Sequence, residues 1–243
     1  QPALITIGSS LNLTQHPVAE LRTIADEVGA KLLFDAAHLC GIIAGKQWAN
    51  PIDLGAHMMT MSTYKSLGGP PGGLLVTNDA ALAERIDGIA YPGLTANFDV
   101  GRTTALAFTL LDQIDFGEAY AAEMIATAAT LSSELAALDL KLFETPAGFT
   151  TSHQFVVEAG EWGGGHPAAL KLRAANILTS AIGLPSGDGL RIGTPEIVRW
   201  GLTTEHMAKL AELINRGLRN DPTSVAPELT AFRQQFDRLH FCT

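Results

Sequence analysis

The sequence predicts an α/β fold, a mostly parallel sheet followed by a small α+β domain. Three observations carry that prediction. Short apolar runs alternate with helical segments through the first part of the chain, some of those runs end in residues that can do chemistry, and the texture changes after Leu138 to short runs mixed with helices. Residues 1–138 accordingly read as one domain and 139–243 as a second, smaller one.

Taken in order, Ala3 to Gly8 reads as a strand. Pro17 to Val28 reads as a helix: Pro17 suits a first helical position, Leu21, Ile24, Ala25 and Val28 recur at helical spacing, and Gly29 is a natural stop. Lys31 to Asp35, His57 to Ser62 and Gly73 to Thr77 read as further strands, buried short runs of the kind found in parallel sheets. Ala80 to Ile86 and the Ala-rich, proline-free stretch from Thr103 to Leu138 read as helices. Beyond them, Leu140 to Phe143, Gln154 to Glu158 and Gly189 to Ile192 are short strands. Pro167 to Ile177 and Thr204 to Leu218 are helices, and Ala226 to His240 is a final amphipathic helix. Gly163-Gly164-Gly165 reads as a flexible turn and not a phosphate loop, because no strand immediately precedes it and no lysine follows at the required spacing.

Composition narrows the function. With 47% hydrophobic residues the chain can bury a real core, and a formal net charge of −9 argues against nucleic acid or an anionic membrane surface as partner. A small-molecule substrate is the default. Cys40 and Cys242 lie far apart with no metal-ligand spacing, which fits a reducing cytoplasm. No apolar run reaches membrane-spanning length, and the opening Gln1 to Ile7 is neither a signal nor a transit peptide but reads as a strand entered in mid-fold.

The chemistry is concentrated in two places. Lys65 stands in Met61-Ser62-Thr63-Tyr64-Lys65-Ser66-Leu67-Gly68-Gly69, directly behind a buried-looking strand, where an amine is placed for imine chemistry on a cofactor aldehyde. Asp35 ends the run Lys31-Leu32-Leu33-Phe34-Asp35 and puts a carboxylate at a strand's carboxyl edge. A carboxylate opposite a pyridine nitrogen keeps the ring protonated and electron-withdrawing, so the pair points to pyridoxal phosphate.

Four segments, in this order, resemble the serine hydroxymethyltransferase family of fold-type-I pyridoxal phosphate enzymes. They are Ile24 to Ala30 leading into Asp35-Ala36-Ala37-His38-Leu39-Cys40-Gly41; Ser62 to Gly73; Thr151-Ser152-His153-Gln154; and Gly189-Leu190-Arg191-Ile192-Gly193-Thr194-Pro195. The resemblance implies that Lys65 is the Schiff-base lysine and that Asp35 pairs with the pyridine nitrogen. It implies that His38 lies near the cofactor's phenolic oxygen and Ala37 against a ring face, with Ser10, Ser62 and Tyr64 close by. Arg191 matches the arginine that holds the substrate carboxylate, a role its planar fork suits. The resemblance also implies residues 1–138 as the C-terminal part of the large cofactor-binding domain, a homodimer, and an N-terminal segment outside this sequence that a complete site needs; the chain is expected to be a fragment or one piece of a cleaved protein.

Two departures bear on activity. Tyr64 stands where the family usually has a histidine, and it can hydrogen-bond a phosphate but carries no positive charge. Leu178 to Asp188 is shorter and less polar than the family loop that helps bind folate. The resemblance implies breaking or forming the Cα–Cβ bond of serine or a 2-substituted serine, which is hydroxymethyl transfer where tetrahydrofolate binds as the one-carbon acceptor, and the second departure motivates the aldolase reading. The alternative is a folate-independent aldolase on 2-methylserine or threonine. The remaining readings are an aminotransferase or transaldolase, and a noncatalytic homologue.

Overall fold

The computed structural model describes residues 1–243, and the chain divides into two compact units, Gln1–Glu118 with Thr243, and Ala119–Cys242. The boundary falls within one long helix.

The first unit is built on a four-stranded sheet, β1 (Leu4–Gly8), β2 (Lys31–Asp35), β3 (Met58–Ser62) and β4 (Gly73–Val76), in that spatial order. β1, β2 and β3 run parallel, whereas β4 returns antiparallel to β3. The direction of β4 follows from its connection. Only the turn from Thr63 to Gly72 separates it from β3, with no crossover helix to carry the chain back to the other end of the sheet. Helix α1 (Val18–Glu27) links β1 to β2, and the short α2 (Cys40–Ala44) follows β2. Pro17 stands just outside α1 instead of at its first position, with a non-helical ψ of 66°. The apolar side chains of β2, Leu32 and Phe34, are fully buried together with Ala25, Leu39 and Ile42. α3 (Ala80–Gly88) is capped by Asp79, whose carboxylate accepts from the amides of Ala81 and Leu82. α4 (Val100–Ala137) starts three residues earlier than its Ala-rich pattern indicates.

In the second unit β5 (Gln154–Glu158), β6 (Ser180–Leu184) and β7 (Gly187–Gly193) form an antiparallel sheet in the order β5-β7-β6. α5 (Gly165–Ala174), α6 (Pro195–Arg199), α7 (Met207–Arg219) and α8 (Pro222–Arg233) complete it. Phe155, Val157, Leu172, Leu190, Leu213 and Leu218 are wholly buried in its core. Several expectations are corrected here. Leu140 to Phe143 is no strand but makes a single bridge, Leu142 to Val157. The segment read as a loop, Leu178 to Asp188, is mostly the hairpin β6–β7, with only Pro185 and Ser186 between the paired residues Leu184 and Gly187. Gly187 takes a φ of +137°, which a side chain would resist. Gly165 opens α5, so the triple glycine ends in a helix. The last helix begins at Pro222, capped by the Asp221 carboxylate, and stops at Arg233. No helix is long and apolar enough to cross a membrane.

Candidate active site

In a parallel sheet, groups that meet a ligand gather where the strands end at their carboxyl edge. The register brings these ends close: Gly8, last in β1, pairs with Asp35, last in β2, and Asp35 pairs with Thr60, two residues before β3 ends. The loops that leave them carry Ser10, then Asp35-Ala36-Ala37-His38, then Ser62-Thr63-Tyr64-Lys65. Seven of the residues marked out by sequence thus share one edge of one unit.

Lys65 Nζ lies 3.2 Å from His38 Nε2, a hydrogen bond across 27 residues of sequence. Asp35 Oδ1 accepts from the Ala37 amide at 3.0 Å, so its carboxylate is turned toward the same loop. The Tyr64 ring lies 5.9 Å from Nζ and is 54% exposed. Lys65 itself is half-buried.

The loop bearing Lys65 is held rigid by groups that sequence reasoning did not single out. Thr63, 2% exposed, donates its hydroxyl to the carbonyls of Pro70 at 2.6 Å and Gly72 at 2.9 Å, while the Gly69 amide returns to Thr63 O at 2.7 Å. Ser66 ties this loop to the one after β2. Its hydroxyl donates to His38 O at 2.7 Å and accepts from the Gly41 amide at 2.9 Å. Gly41 is required by that approach, since a Cβ there would stand 2.1 Å from Ser66 O. Gln113 of α4 donates to Leu67 O at 2.9 Å.

The loop after β1 has its own brace. Fully buried Asn12 donates to Ser9 O at 2.6 Å, accepts from Ser9 N at 3.2 Å, and meets His16 Nε2 at 2.7 Å. His16 packs edge-on against Phe34 of β2, and burial pulls its pKa down. Asn12 has no periodic or motif signal. Only its burial reveals it.

Arg191 belongs to the second unit. It is half-buried on β7, its Nε donates to Ser180 Oγ at 3.1 Å, and burial lowers its pKa.

The donor set fits pyridoxal phosphate: a primary amine for the aldehyde, a carboxylate for the ring nitrogen, a small residue at Ala37, and hydroxyls at Ser10, Ser62 and Tyr64.

Comparison with known proteins gives the family. A family model described as serine hydroxymethyltransferase matches residues 1–214. An alpha-methylserine aldolase of Ralstonia sp is 54% identical over 99% of this chain and 57% of its own length, and one of Variovorax paradoxus is 57% identical over 99% and 56%. The serine hydroxymethyltransferase of Korarchaeum cryptofilum is 37% identical over 99% of this chain and 58% of its own. The crystal structure of the L-threonine transaldolase of Pseudomonas fluorescens superposes with a TM-score of 0.93 at 24% identity, over 99% of this chain and 57% of that one, which shows the fold. This chain spans little more than half the length of the relatives it matches. With a matching model over most of its residues, the chain belongs to the serine hydroxymethyltransferase family.

Proposed function

We propose that this chain supplies the cofactor lysine, the ring-facing carboxylate and the substrate-binding arginine of a pyridoxal phosphate enzyme. That enzyme breaks or forms the Cα–Cβ bond of serine or a 2-substituted serine. The observation that carries the reading is the Lys65 amine, hydrogen-bonded to His38 at the edge where Asp35 ends β2. On this reading residues 1–138 are the C-terminal part of the large cofactor-binding domain and 139–243 the small domain.

Each residue has a defined task. Pyridoxal phosphate, when bound, supplies the electron sink for charge left at Cα. Lys65 would hold it through its amine, and His38, whose Nε2 lies 3.2 Å from that amine, would stand near the cofactor's phenolic oxygen. Asp35, steered by the Ala37 amide, presents negative charge to the ring nitrogen. Ala37 leaves room for the ring face, and Ser10, Ser62 and Tyr64 offer hydroxyls. Arg191 takes the substrate carboxylate through its guanidinium fork.

The acceptor of the one-carbon unit separates the two activities. Tetrahydrofolate would make the enzyme a hydroxymethyltransferase. The aldolase reading, acting on 2-methylserine, is favoured by two observations. The relatives above 50% identity carry the aldolase name, and the segment matching the folate loop is a tight hairpin with two turn residues. Formaldehyde release from serine and 2-methylserine by the full-length protein, with and without tetrahydrofolate, decides between them. Release without folate is expected, and strict folate dependence would defeat the aldolase reading. Lys65→Ala is expected to lower release by about a thousandfold or more, as loss of a covalent catalytic group does. Wild-type rates in that variant would sink the cofactor assignment.

A homodimer, in the cytoplasm, completes the proposal. Leu94, Phe98, Phe108 and Ile114 of the first unit are 81, 79, 64 and 79% exposed, apolar surface that a second copy would cover.

A further inference from the structure

We propose that Ser180 is a positioning residue that fixes the plane of the Arg191 guanidinium and thereby sets the affinity for the substrate carboxylate; this rests on the reading of Arg191 given above. Ser180 stands directly opposite Arg191 in the antiparallel pairing of β6 and β7, so both side chains leave the same face of the hairpin. The two-residue turn at Pro185 and Ser186 locks that register, because a slip by one residue would send Ser180 to the other face.

Ser180 Oγ accepts from Arg191 Nε at 3.1 Å. An arginine has a long flexible stem, and its value in carboxylate recognition lies in a planar fork that must be pointed before the ligand arrives. A bond at Nε fixes that plane near its root. It also takes the edge that includes Nε out of contention for a bidentate carboxylate. The hydroxyl is neutral, so it orients the guanidinium without cancelling the charge that the substrate needs, which a carboxylate at position 180 would do. Arg191 is half-buried, and an acceptor at this point offsets part of its lost hydration.

The test compares Ser180→Ala, Ser180→Thr, Arg191→Lys and the double variant Ser180→Ala/Arg191→Lys in the holoenzyme. The readouts are KM and kcat for the β-hydroxy amino acid and the dissociation constant of glycine by equilibrium dialysis. Ser180→Ala is expected to raise KM and the glycine constant about tenfold, the loss typical of one hydrogen bond to a charged group. Its kcat should stay within about twofold, since binding and not the chemical step is affected. Ser180→Thr, which keeps the hydroxyl, should retain wild-type affinity. Lysine has no Nε–H to steer, so in the Arg191→Lys background Ser180→Ala should add nothing. Unchanged affinity in Ser180→Ala beside weakened Arg191→Lys would overturn the inference and leave the reading of Arg191 standing, as would additive losses in the double variant. Unchanged glycine affinity in Arg191→Lys would overturn the reading itself. Should Ser180→Ala not fold, Ser180→Cys takes its place, and its weak acceptor should give an intermediate constant.

Discussion

The two units differ in where they put their apolar side chains. The second closes a core from its own residues: Phe155, Leu172, Leu190, Leu213 and Leu218 are each wholly buried. The first buries Leu32, Phe34 and Ile42 around its sheet, yet leaves Ile89, Leu94, Phe98, Phe108, Leu111 and Ile114 more than half exposed. Phe108, Leu111 and Ile114 follow one another at three-residue steps on α4, a stripe and not a scatter. The lesson is a division of labour. One unit holds itself together, while the other carries the lysine and leaves a stripe of apolar side chains uncovered.

The largest effect should come from the closed core. Phe155→Ala is expected to cost about 3–5 kcal/mol of stability, the usual result of emptying a fully buried aromatic site. Phe98→Ala, at a side chain 79% exposed, should fall within about 0.5 kcal/mol in the monomer. Urea unfolding of the two variants measures both. Similar losses in the two would erase the contrast.

A second prediction tests what the exposed stripe does. On the proposed homodimer, Ile114→Asp should shift the protein toward monomer in sedimentation while leaving its circular dichroism unchanged, because a charge on the stripe opposes burial against another copy. Wild-type mass in that variant would remove the stripe from the interface.

The smallest effect belongs to the charged lattice that fastens α8 to α7. Glu228 bonds Lys209 at 2.6 Å and Arg216 at 2.7 Å, and Glu212 bonds the same two cations at 2.8 and 3.1 Å. These cations hold the carboxyls of Glu212 and Glu228 below their ordinary value and are themselves raised. A depressed carboxylate stabilises the fold above its unfolded pKa, about 4.3, and that contribution fades as pH falls through the folded value. Glu228→Gln should therefore lower the melting temperature slightly at pH 7, less so in high salt, and the gap from wild type should close toward pH 3. A gap that persists at pH 3 would mean that packing, not charge, joins the helices.

Much of the first unit was legible because its signals are local. Each of its strands is a short apolar run with a functional or turn residue at its end, and all four were located to within a residue. The elements that escaped notice depend on partners distant in sequence. β6 contains Gly183 and runs into Pro185, and it becomes a strand only because β7 lies beside it. The start of α8 did carry a cue, Asp221 before Pro222, but Pro227 within the helix masked its extent. At the site, Lys65 and Asp35 are marked out by the chemistry of their types, and His38 by the family resemblance. Ser66, Thr63 and Asn12 carry no such signal, since what marks them is burial and a bond to another loop.

The missing side chain at Gly41 has a consequence for how this family member can change. The short helix α2 and the loop bearing Lys65 meet there backbone to backbone, and a single methyl would act as a wedge between them. Position 41 is thus where one added carbon would part the Lys65 loop from its neighbour.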